Sequence, residues 1–130
     1  MLYRGLSKLT TIGARAIFTQ LPKLKHINLS NSRRLNDHPF VVSAKEGLKL
    51  ETYILNDMPL LTDVSLNELS KISTLKEITI CMTPGEGKYS HITDGMQRLL
   101  GKHCKKLTKV VYTNALWLTD AGLLSLIKNC

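Results

Sequence analysis

The first 36 residues contain no acidic side chain, although Arg4, Lys8, Arg15, Lys23, Lys25, Arg33 and Arg34 all fall among them. The rest of the chain carries 11 basic and 10 acidic residues, so nearly all of the net +8 sits at one end. Aromatic residues make up only 5%, few for a surface that stacks on bases. Cysteine is scarce too. Cys81, Cys104 and Cys130 are odd in number and lack a CxxC or HxxxH companion, which argues against a secreted disulfide framework and against zinc. No apolar run approaches the ~18 residues of a membrane span. Catalytic constellations are missing as well. His26, His38, His91 and His103 share no common spacing, and no nucleophile–base set or carboxylate pair recurs. The stretch PGEGKYS has the Gly87-Lys88 of a phosphate loop. Tyr89, however, stands where Ser or Thr would ligate magnesium, and Met82 replaces the first glycine. The chain is expected not to be an enzyme and to need no cofactor.

What is present is repetition. Ile92-Thr93-Asp94 and Leu118-Thr119-Asp120 match Leu61-Thr62-Asp63, with softer copies at Leu35-Asn36-Asp37 and Leu9-Thr10-Thr11. Their leading residues are 26, 26, 31 and 26 apart. A second series agrees: LKHINL, LETYIL, LKEITI and LTKVVY begin at Leu24, Leu50, Leu75 and Leu107, apolar at positions one, four and six. Three of them start 15 residues after a triplet and Leu75 starts 14 after, implying one deletion in the helix before it. The step of 31 also contains an insertion within residues 84–91.

One unit can be read physically. The last two apolar positions of each hexad lie two apart and share one face of a short strand. The Thr-Asp pair opens a helix, its oxygens accepting from first-turn N–H groups. Apolar residues return three and six positions after the Asp, as in Leu66 with Leu69, Leu123 with Leu126, and Ala14 with Ile17. Ser43 and Gln97 interrupt this stripe, so their helices are expected to pack less well. Helices should begin near residues 10, 36, 62, 93 and 119 of a single domain spanning 1–130. Such a unit cannot bury its apolar side alone, but stacked units can.

This pattern at 26 residues, with Cys104 and Cys130 ending its last two helices, resembles the cysteine-containing class of leucine-rich repeat. The resemblance runs from Leu9 to Cys130, with Leu21 and Gly47 replacing the helix-end Cys in the early units. Ser32, Met58, Thr83 and Ala115 replace the Cys that the class places after the strand. It implies an α/β leucine-rich-repeat solenoid: a right-handed horseshoe arc of four to five repeats, parallel strands concave and helices convex. That class is best known from F-box proteins, the substrate receptors of SCF ubiquitin ligases. The implied function is a protein-binding module, in its sharpest form the substrate-recognition part of such a receptor. Only eight residues precede Leu9, too few for an F-box, so a ligase adaptor is expected as partner only if that module lies outside this chain. The full-length protein is expected to be longer, or its end units frayed. The alternative is a repeat scaffold or assembly factor without a ubiquitin role.

The expected contact surface is the concave strand face, where residues between the buried ones point to solvent. These are His26, Asn28 and Ser30; Thr52, Ile54 and Asn56; Glu77, Thr79 and Cys81; and Lys109, Val111 and Thr113. Lys88 and Tyr89 of the insertion are expected to join them. The expected partner is another protein; nucleic acid is disfavoured because most Lys and Arg fall on helices and connecting turns rather than along this face. Cys104 and Cys130 should be buried, Cys81 accessible at a strand end, and Trp117 a packing residue rather than a ligand. His103, beside Lys102, Lys105 and Lys106, should sit at a helix C-terminus. Three readings of the basic N-terminal stretch stay open: a solvated face balanced by an absent neighbour, a contact surface for an acidic protein or RNA, and a mitochondrial presequence. The expected location is cytoplasmic or nuclear, with mitochondrial as the alternative.

Overall fold

A computed structural model describes residues 8–83 and 92–129. In chain order these form α1 (Thr11–Gln20), β1 (His26–Asn28), α2 (His38–Lys45), β2 (Thr52–Ile54), α3 (Asp63–Leu69), β3 (Glu77–Cys81), α4 (Met96–His103), β4 (Lys109–Thr113) and α5 (Asp120–Asn129). The architecture is α/β, as the alternating periodicities imply. The four strands make one parallel sheet in the order β1-β2-β3-β4, and each helix packs on the next in the same order. The shortest helix is α3, with 7 residues, where the spacing called for a deletion.

Register follows the hexads. Ile27 pairs with Tyr53, Tyr53 with Ile78, and Ile78 with Val110, while Ile80 stands opposite Tyr112. Ile27, Leu29, Tyr53, Leu55, Ile78 and Ile80 are all buried, so alternate strand residues supply the core between sheet and helices. Phe18, Phe40 and Tyr53 meet there with ring centroids 6.1–6.4 Å apart. After β1, β2 and β4 the chain turns sharply, and Asn31, Asp57 and Asn114 have positive φ at matching places. Asn and Asp tolerate this left-handed conformation better than other non-glycine residues.

The Thr-Asp pairs work differently from the sequence expectation. From the second triplet on, the middle residue accepts from a backbone N–H at the helix start: Asn36 Oδ1 from His38 N, Thr62 Oγ1 from Val64 N, Thr93 Oγ1 from Gly95 N and Thr119 Oγ1 from Gly122 N. Thr62 is the N-cap of α3, whereas Thr10 makes no side-chain cap on α1. The Asp reaches instead to the following triplet. Asp37 accepts from Thr62 N (2.9 Å) and Thr62 Oγ1 (2.6 Å), Asp63 from Thr93 N (2.8 Å) and Thr93 Oγ1, and Asp94 from Thr119 Oγ1. A carboxylate beside a threonine is thus a clamp between neighbouring helix starts. The helices begin within three residues of the expected positions, α4 being latest because Asp94 and Gly95 form a turn.

Other positions take on more definite roles in the packed structure. Ser43 and Gln97 are both buried, and each meets a tyrosine from the strand after its helix, although Gln97 Nε2 is left without a partner among the described residues. Tyr53 OH donates to Ser43 Oγ (3.4 Å), which in turn donates to Phe40 O, and Tyr112 OH donates to Gln97 Oε1 (2.9 Å). Burial raises the pKa of Tyr53, and it pushes Tyr112 up to about 12, so both phenols stay neutral donors. Leu123 is 44% exposed, and Gly122 and Leu126 face inward in its place. Gly122 lies so close to Asp94 that a Cβ would come within 2.6 Å of it, which fixes the rotation of α5 on α4. After β3, Met82 is buried, while Thr83, at the position where the class places Cys, is exposed. Cys104 is buried as expected, its thiol donating to Ser70 O and Ile72 O. Cys130 lies outside the described residues.

Candidate functional site

The outward strand positions align in rows because the register is continuous. His26, Thr52, Glu77 and Lys109 form the first row, and Asn28, Ile54, Thr79 and Val111 the second. Ser30, Asn56, Cys81 and Thr113 follow at the strand ends. The first row is polar and open, with His26 Nδ1 sharing a 3.0 Å hydrogen bond with Thr52 Oγ1. In the second row Ile54, Thr79 and Val111 are half-buried.

Asn28 and Ser30 depart from the expectation that they point freely to solvent. They are only 6% and 5% exposed. The chain turns sharply at Asn31 straight after them, and their side chains are drawn into a hydrogen-bonded chain. Ser30 N donates to Asn28 Oδ1 (3.0 Å), Asn56 N donates to Ser30 Oγ (3.4 Å), and Cys81 N donates to Asn56 Oδ1 (2.9 Å). Cys81 is half-buried, its Sγ donating to Thr113 Oγ1 at 3.3 Å. Asp57 closes one rim, accepting from Thr83 N.

These groups line a groove of about 490 Å³ that crosses three strands, from Asn28 and Ser30 through Ile54 and Asn56 to Thr79 and Cys81. Its donors and acceptors are small and neutral, apart from Asp57. A hollow of about 540 Å³ lies near the strand starts, but one continuous segment, residues 20–26, lines it, and it joins no residues from different strands. Lys88 and Tyr89, and the whole insertion 84–91, lie outside the described residues.

No protein-family model matches the chain, and no curated protein matches it. What the site can do is therefore argued from its own chemistry.

Among the described residues no three of His, Cys, Asp and Glu are grouped to hold a metal ion. Ion pairs gather at the strand starts, where Glu51 lies 3.3 Å from Lys25 and 2.8 Å from Lys76. Hydrogen bonds from Lys76 and then Lys25 lower the Glu51 carboxyl pKa, but the pairs are exposed and add little to stability. The excess basic side chains do not converge on the groove. Lys8, Arg15, Lys23, Arg33 and Arg34 are exposed, spread over the residues before α1, α1 itself, the connection before β1 and the turn after it. No helix of the described residues is long and apolar enough to cross a membrane. Trp117 packs edge-on against Tyr112 with centroids 5.3 Å apart, and Lys102 and His103 occupy the last turn of α4, both as expected.

Sequence reasoning found the rows but not the groove. Its signal was present in Asn31, Asp57 and Asn114, each two residues past the last apolar position of a hexad. Residues that favour a left-handed turn at that offset mark where the strands end and the polar side chains crowd together.

Proposed function

We propose that this chain is a leucine-rich-repeat solenoid that binds another protein across its outward strand face. The observation that carries the reading is the set of aligned rows of small side chains over four parallel strands, with a polar groove crossing three of them. Support for stacking comes from the Asp–Thr clamps, which join the second triplet to the third, the third to the fourth and the fourth to the fifth. A partner can approach such a face closely because the second row itself is made of short side chains, Asn28, Ile54, Thr79 and Val111. By its resemblance to the F-box class, the sharper form of the proposal is substrate recognition for a cullin–RING ligase; a scaffold without that role is the other form.

The test places one arginine in the middle of the face. Ile54 and Thr79 are half-buried neighbours there, and Ile54→Arg or Thr79→Arg should leave the circular-dichroism spectrum and melting temperature close to the parent. Cross-linking mass spectrometry in cells should then recover a set of proteins with the parent chain that both variants lose. An unchanged set would refute the face. A ligase adaptor among the lost proteins selects the ubiquitin form, and its absence selects the scaffold.

A further inference from the structure

Two asparagines in the groove are held in one orientation each. Asn28 Oδ1 accepts from Ser30 N and Asn56 Oδ1 accepts from Cys81 N, so each amide oxygen is committed to a backbone donor. That commitment settles which end of each amide is nitrogen. It leaves Asn28 Nδ2 and Asn56 Nδ2 as the free ends, and neither donates to any described residue. Asn28 is only 6% exposed, yet its Nδ2 is not among the buried atoms that lack a partner, so this donor stays open to solvent and within reach of a ligand. Both residues line the groove.

We infer that the groove binds an extended peptide segment of the partner, with Asn28 and Asn56 donating to its backbone carbonyls. This rests on the protein-binding reading above and names the feature of the partner that is read. The ligand must offer hydrogen-bond acceptors to two fixed donors. Among the described residues no Lys, Arg or His lines the groove and the Asp57 carboxylate stands at its rim, which disfavours an anion. No aromatic side chain among the described lining residues offers a base or sugar ring a surface to stack on. Peptide carbonyls fit. Asn56 is one strand over and two positions along from Asn28, a diagonal of about 8 Å from ordinary sheet spacings. An extended chain presents carbonyls along one edge every ~6.8 Å, close to that separation. Ile54 and Thr79 between the two donors supply a small apolar patch for an intervening side chain.

Asn→Asp is the informative substitution. It keeps the Oδ1 acceptor for Ser30 N or Cys81 N and replaces the donor by an acceptor of the same shape. A phage-displayed library of linear 12-residue peptides would be selected on the unmodified chain, then each peptide measured against Asn56→Asp, Asn28→Asp and Ile54→Arg. Asn56→Asp is the safer variant because Asn56 is only half-buried; Asn28→Asp is included if it melts cooperatively. The expected result is selected peptides that lose about tenfold in affinity to Asn56→Asp, the loss of roughly one hydrogen bond. Peptides that bind Asn56→Asp normally but not Ile54→Arg would overturn this inference and leave the binding face standing. Peptides indifferent to both variants, or no enriched peptide, would overturn it as well.

Discussion

Ile80→Asp is expected to unfold the protein at neutral pH. Ile80 is fully buried, opposite Tyr112 in the sheet, at the last apolar position of its hexad. Its neighbours in the core cluster are apolar side chains. An unpaired charge in that place costs several kcal/mol or is neutralised by a raised pKa, and a loss above about 4 kcal/mol belongs to such burials. Ile80→Val, which removes one methylene, should cost only about 1 kcal/mol. Urea denaturation of the two variants checks the pair. A cooperatively folded Ile80→Asp with near-parent stability would show that Ile80 does not face the core.

The second large effect is expected at Asp37. Its carboxylate accepts four hydrogen bonds, from Thr62 N, Thr62 Oγ1, Ser65 N and Ser65 Oγ. Asp37→Ala should cost about 3 kcal/mol, since hydrogen bonds to a charged group contribute more than neutral ones and the buried Ser65 is left unpaired. The charge also sets a pH dependence. Burial acts to raise the Asp37 pKa, but hydrogen bonds from Ser65 and Thr62 outweigh it, and the folded value lies below the ordinary one of 3.8. A group depressed in this way contributes stability that is complete above its unfolded pKa and is lost as pH falls through the folded one. Asp37→Asn lacks that contribution, so its stability should fall less between pH 6 and pH 2.5 than the parent's. Urea midpoints at the two pH values measure the difference; parallel losses would show that the Asp37 charge does not matter.

These two residues also show how much was legible beforehand. Ile80 was readable because a buried strand position has a period of two and nothing else competes for it. Asp37 was readable as a helix-start residue, but its partner was not: Thr62 is 25 residues away, and only stacking brings it near. The same limit applies to Ser43 and Gln97. Taken alone, each is a polar residue on an apolar stripe, and its tyrosine partner becomes evident only when helix and strand are packed. Leu123 was misplaced because periodicity within α5 cannot report that Gly122 must press against Asp94. In the candidate site, the outward rows followed from alternation along the strands. The burial of Asn28 and Ser30 did not, because it depends on the turn at Asn31 and on hydrogen bonds to the next strand.

The central claim is that segments 26 residues apart are equivalent and stack through the same contacts. Removing residues 36–61 tests it most directly, because it joins Leu35 to Thr62 and takes out one full period. The shortened chain should still unfold in one cooperative transition, at lower temperature, with a helix-and-strand circular-dichroism spectrum of the same shape. Removing only residues 36–48 takes out half as much chain but breaks the phase of every later contact, and it should not fold. Cooperative melting of the smaller deletion together with collapse of the larger one would contradict the account.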